Sequence, residues 1–77
     1  MNYLQTLNYG SYKLKLNNIE THTLDSEILL SFILNSSREK ILINQNTKIE
    51  KNIFYKYKKL ILRRQKKEPI AYITKKK

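Results

Sequence analysis

Cysteine and tryptophan are absent from this 77-residue chain, and glycine, proline and histidine occur once each. Without cysteine there is no disulfide framework, no thiolate nucleophile and no cysteine-based zinc site, and His22 alone cannot complete a metal site. A single glycine excludes the glycine-rich loops that let a backbone approach a phosphate or dinucleotide closely. The densest apolar stretch, Ile28 to Leu34, is seven residues long and interrupted by Ser31. A bilayer-spanning helix needs roughly 18. Met1-Asn2-Tyr3 carries none of the positive charge of a leader segment. These absences predict a cytoplasmic, reducing setting with no membrane partner. A domain of this size buries only about 60% of its unfolded surface, so a core and a wide substrate cleft compete for the same few residues. Autonomous catalysis is disfavoured.

Positive charge is what the chain has in excess. Sixteen Lys and Arg oppose six Asp and Glu, giving +10, while 40% of residues are hydrophobic. That is too apolar a chain for a disordered polycation. Through residue 47 the charge is balanced, with Lys13, Lys15, Arg38 and Lys40 set against Glu20, Asp25, Glu27 and Glu39. The whole excess falls after it, which describes a neutral body carrying one basic element. Lys, Asn, Ile and Tyr are all encoded by A/T-rich codons, so a compositional origin of the lysines stands beside a functional one.

Scarce glycine and proline favour helices joined by short polar turns. Leu4, Leu7, Ser11 and Leu14 recur at helical spacing and predict a first helix from about Tyr3 to Lys15. Gly10 lies beside Ser11 on that face, a small pair suited to close helix approach. Asn17-Asn18 ends the helix, since Asn tolerates a left-handed turn. Thr21 is the expected N-cap of a second helix that is apolar nearly all round from Leu24 to Leu34, which places it at the centre of the domain. Asn35 closes it. Ser36-Ser37-Arg38-Glu39 reads as a capping box for a short third helix holding Ile41, Leu42 and Ile43. A second box, Thr47-Lys48-Ile49-Glu50, predicts a fourth helix of about nineteen residues, with Ile49, Ile53, Tyr57, Leu60 and Ile61 inward and Lys51, Lys58, Lys59, Arg63 and Lys66 outward. It ends near Lys67 because Pro69 restricts Glu68, and Pro69 then opens a short turn of helix through Ile73. The expected fold is all-α: four helices plus a short C-terminal helical turn.

Asp25 and Glu27, two apart on a helix, diverge and make a poor acid–base pair. His22 reads as a helix-start residue. The six tyrosines and the basic helix suit single-stranded nucleic acid, which uses aromatic faces above a positive groove. Against that, Tyr57 lies on the apolar stripe.

One segment is more specific. Leu62-Arg63-Arg64-Gln65-Lys66-Lys67-Glu68-Pro69-Ile70-Ala71-Tyr72-Ile73 resembles the stretch that joins the N-terminal helical domain to the catalytic domain in release-factor glutamine methyltransferases, the HemK or PrmC family. Leu24-Asp25-Ser26-Glu27-Ile28-Leu29-Leu30 is similar to that family's Asp-Ala-Glu-Leu-Leu-Leu helix, at a matching separation. The resemblance implies a five-helix N-terminal domain that helps to dock class I peptide chain release factors. An S-adenosylmethionine-dependent catalytic domain then methylates the glutamine of their Gly-Gly-Gln motif. The family's Asn-Pro-Pro-Tyr signature and glycine-rich cofactor loop have no counterpart here, so no catalytic, cofactor or metal residue carries over.

The expected organisation is one helical domain over residues 1–74 with 75–77 a basic tail or the start of an interdomain linker. Lys58, Lys59, Arg63 and Lys66 are the candidate partner-binding residues. Asp25, Glu27, Arg63, Arg64 and Glu68 are candidates for structural ion pairs, with Arg63 or Arg64 fastening the fourth helix to Asp25, Glu27 or Glu68. Expected partners are a class I release factor and the chain's own catalytic domain, with weak RNA contact at most. The alternative is a free-standing basic nucleic-acid-binding domain.

Overall fold

A computed structural model describes residues 1–75, and Lys76 and Lys77 of the expected tail lie outside the described residues. The fold is all-α, with five helices in chain order among the described residues: α1 (Tyr3–Leu16), α2 (His22–Leu34), α3 (Arg38–Ile43), α4 (Lys51–Gln65) and α5 (Ile70–Ile73). Helix α2 is the hub and packs against α1, α3 and α4, while α5 folds back on α4.

Helix α1 opens with a capping box that the pattern reading missed. The Asn2 side chain accepts from the Gln5 N–H at 2.8 Å, and Gln5 Oε1 accepts from the Asn2 N–H at 2.9 Å. Its buried stripe is Thr6, Leu7, Gly10 and Leu14. Ser11 is only half-buried and the expected Leu4 is exposed, while Thr6 takes a place in the buried stripe with its hydroxyl satisfied on the Asn2 carbonyl at 2.8 Å. Asn18 takes the left-handed turn at φ 61°, and Asn35 does the same after α2 at φ 51°.

Three helix starts differ from expectation. Thr21 sits at the N-cap of α2, but its hydroxyl donates to Asp25 Oδ2 at 2.8 Å and caps nothing. The box expected from Ser36 to Glu39 is displaced by one residue: Ser37 caps α3, accepting from the Lys40 N–H at 3.2 Å. The box expected from Thr47 to Glu50 does not form. Instead the N-terminus captures this segment as extended chain, with Tyr3 N–H donating to the Thr47 carbonyl and Ile49 N–H to the Met1 carbonyl, each at 2.9 Å. Helix α4 therefore begins at Lys51 and has 15 residues. Ile49 is still buried, but from the extended segment.

The core joins Leu7 and Leu14 of α1, Leu29 and Leu30 of α2, Ile41 of α3, Tyr57 and Ile61 of α4, and Ile73 of α5. Each fully buried aliphatic side chain contributes roughly 2 kcal/mol. Tyr57 is a core residue, fully buried, with its hydroxyl donating to the Ser26 carbonyl at 3.0 Å. Burial holds that phenol well above its ordinary range.

Candidate functional site

Because the inward face of α4 is committed to the core, its lysines are forced outward. Lys51, Lys56, Lys58, Lys59, Arg63 and Lys66 are all exposed. Lys59 and Arg63, one turn apart, continue toward Lys66 along the crest, while Lys58 turns toward α1. The ammonium of Lys59 lies 4.6 Å from the centre of the exposed Tyr55 ring, that of Lys58 5.8 Å from Phe54, and that of Lys13 5.7 Å from Tyr9. None of these lysines joins an ion pair among the described residues.

Two grooves flank the crest. One, between α2 and α4, has Phe32, Ile33 and Leu60 in its walls and Lys56, Lys59 and Arg63 at its edge. The other, between α1 and α4, is bordered by Tyr9, Lys13, Tyr55, Lys58, Lys59 and Leu62. Sequence reasoning singled out Lys58, Lys59, Arg63 and Lys66 as partner-binding candidates and Lys56 as part of a phosphate-contacting run, but not Phe32, Ile33 or Leu60. An all-round apolar α2 carries no signal for which of its flanks a neighbour leaves open.

The acidic residues have structural partners. Arg64 Nε lies 2.9 Å from Oδ2 of Asp25, whose residue is 4% exposed, so a buried charge pair ties α4 to α2. Arg64 also donates to the Glu68 carbonyl at 3.1 Å, which extends the tie to the segment leading into α5. Arg63 pairs with the Glu68 carboxylate, Nε to Oε1 at 2.9 Å, and its guanidinium holds that carboxyl below the usual range. Glu27 faces neither Arg63 nor Arg64. Its carboxylate takes Arg38 of α3 at 2.9 Å, because Glu27 lies on the α3 side of α2.

No acid–base dyad results, since Asp25 and Glu27 serve separate ion pairs. His22 Nδ1 sits 2.7 Å from Ser11 Oγ and 3.3 Å from Thr23 Oγ1, a polar clasp between α1 and the start of α2. No cluster suited to a metal ion occurs among the described residues. Gly10 lies inside α1 against Tyr57, so it forms no phosphate or cofactor loop. What the surface offers is cationic and apolar contact area on rigid helices.

Residues 5–74 match the family model of the PrmC N-terminal domain. The release factor glutamine methyltransferase of Clostridium acetobutylicum is 43% identical over 63 residues, covering 82% of this chain and 22% of that protein. The release factor glutamine methyltransferase of Buchnera aphidicola is 43% identical over 63 residues, 82% of this chain and 23% of its own length. A bifunctional methyltransferase of Rickettsia felis is 38% identical over 69 residues, 90% of this chain and 13% of that protein. The chain thus spans less than a quarter of the length of these curated relatives. No solved structure matches it. A match that runs through all five helices, from the first turn of α1 to the residue after α5, makes this chain a member of the PrmC N-terminal domain family.

Proposed function

We propose that this domain is the substrate-docking part of a release factor glutamine methyltransferase, non-catalytic in itself, which holds a class I peptide chain release factor for methylation by a separate catalytic domain. The observation that carries the reading is the outward surface of α4, where Lys58, Lys59 and Lys66 stand exposed and without ion pairs among the described residues, on a domain whose relatives are named for release factor methylation. The contribution is positional. Contact area remote from the reacting amide lowers the entropic cost of bringing it to the methyl donor. On this reading S-adenosylmethionine is held by the catalytic domain, in keeping with the single glycine of this chain, which lies inside α1. The tie from Asp25 through Arg64 to the Glu68 carbonyl holds the segment that leads into α5.

The test is calorimetric titration of the 77-residue chain with a class I release factor. Binding that weakens when Lys58, Lys59 and Lys66 are replaced together by Glu supports docking through this face. Binding indifferent to that change removes the face from the reading.

A second reading has one observation in its favour: Lys59 lies over the exposed Tyr55 ring and Lys13 over Tyr9, an alternation of cations and aromatics suited to single-stranded RNA. It requires affinity for oligouridylate that falls steeply with salt, by about one logarithmic slope unit for each phosphate neutralised.

A further inference from the structure

We infer that the groove between α2 and α4 receives an apolar side chain of a partner protein, flanked in that partner by carboxylates. The inference rests on the docking reading and specifies its chemistry.

The groove exists because α2 is apolar on more sides than the fold covers. Leu29 and Leu30 are fully buried, and α1 and α3 close two flanks of the helix. Phe32 and Ile33 remain half-buried, and Leu60 of α4 continues the same apolar strip across the gap. An apolar strip between two packed helices is the form of site that accepts a protruding side chain from an amphipathic segment.

The charges around the strip select the occupant. Lys56, Lys59 and Arg63 stand at its edge, and no carboxylate lines it. Arg63 is engaged by Glu68, whereas Lys56 and Lys59 form no ion pair among the described residues. A neutral apolar ligand would leave those two cations unanswered, and a cationic one would be repelled. A partner with acidic residues on either side of an apolar one satisfies both parts, with the apolar anchor supplying affinity and the rim charges supplying register and approach rate. RNA fits this groove less well than it fits the α1–α4 side, since the one ring lining it, Phe32, is half-buried, whereas Tyr55 on the other side is largely exposed.

The test is a nitrogen-15 nuclear magnetic resonance titration of the 77-residue chain with three separate probes: a class I release factor, the capped peptide Glu-Glu-Leu-Leu-Glu-Glu, and oligouridylate. The expected result is that the amides of Ile33, Lys59 and Leu60 shift with the release factor and with the peptide. Lys56→Glu with Lys59→Glu should weaken both by roughly ten-fold, while Lys13→Glu in the other groove leaves both within about two-fold. Ile33→Ser, which keeps the charges, should weaken the peptide as well. All of these side chains are exposed or half-buried, and the dispersion of the spectrum itself shows that each variant is folded.

The outcomes separate cleanly. Release-factor shifts confined to another face, with the peptide silent, overturn the groove and leave the docking reading standing. Peptide shifts in the groove with no response to release factor preserve the groove and remove that reading. Tighter binding of oligouridylate than of the peptide at Ile33 and Leu60 overturns the protein partner.

Discussion

Gly10 of α1 packs directly against Tyr57 of α4: a Cβ placed on Gly10 would collide with the Tyr57 hydroxyl oxygen and stand 2.9 Å from Ile61 Cδ1. The lone glycine of the chain is therefore a contact residue. Its missing side chain makes room for the phenol that reaches past it to the Ser26 carbonyl. Gly10→Ala raises helix propensity by roughly 1 kcal/mol, but overpacking a closed core typically costs 1–3 kcal/mol and more where contact is this close, so a net loss of about 2 kcal/mol is expected. Tyr57→Phe alone should cost about 1 kcal/mol for the lost buried hydrogen bond. Urea unfolding of both single variants and the double variant checks the relationship: the double should be more stable than the sum of the singles predicts, because removing the hydroxyl relieves the clash. Strict additivity would refute it.

Arg64→Ala should be among the most damaging changes on α4. It leaves Asp25, 4% exposed, with only the Thr21 hydroxyl for a partner. Breaking a buried pair costs about 3–5 kcal/mol, and the partly open Arg64 side chain places this case near the lower end. Replacing the pair by Asp25→Leu with Arg64→Met should recover much of that loss, since no unpaired charge remains. Thermal denaturation of the two variants decides it, and a pairwise replacement as unstable as Arg64→Ala would show that the charges are not the cause.

Glu68 supplies a pH dependence. Arg63 depresses its carboxyl relative to the unfolded chain, so the pair stabilises the fold above the unfolded carboxylate value, about 4.3, and that contribution is lost as pH falls through the lower folded value. Melting temperature followed from about pH 6 to 2 should fall more steeply for the natural chain than for Glu68→Gln, with the two curves converging at the acid end. Parallel curves would show that Arg63 holds the carboxylate too loosely to matter in solution.

Lys67 adopts φ 70° in the turn between α4 and α5. A non-glycine residue held there is destabilised by about 1 kcal/mol, so Lys67→Gly should raise stability by a similar amount, reduced by loss of its exposed ammonium contact with the Asn17 carbonyl. Denaturant midpoints measure this directly, and a lower midpoint for Lys67→Gly would mean that the contact with Asn17 outweighs the backbone strain.

The helices were legible because their signals are local. Leu7 with Leu14, and Tyr57 with Ile61, repeat at helical spacing, and Asn18 and Asn35 mark chain reversals by tolerating a positive φ. Helix starts were less legible. A capping motif such as Thr47 to Glu50 states only a local preference, and here it loses to backbone pairing with Met1 and Tyr3, more than forty residues earlier in the chain. The same holds for charge partners: Asp25 and Glu27 look alike in the sequence, yet one meets Arg64 and the other Arg38, because they leave α2 on different sides.

By itself the sequence determined the all-α class, the number and rough extent of the helices, the neutral body with its basic α4, and the family. All of these rest on composition, spacing and short motifs that survive without knowledge of neighbours. Only the tertiary structure decided that Gly10 is the seat of Tyr57, that Asn2 caps α1 while the N-terminus shortens α4, and that Phe32, Ile33 and Leu60 are left uncovered beneath Lys56 and Lys59. Those outcomes depend on which helix faces meet. Burial, close approach and an open flank are properties of pairs of elements, and no single element encodes them.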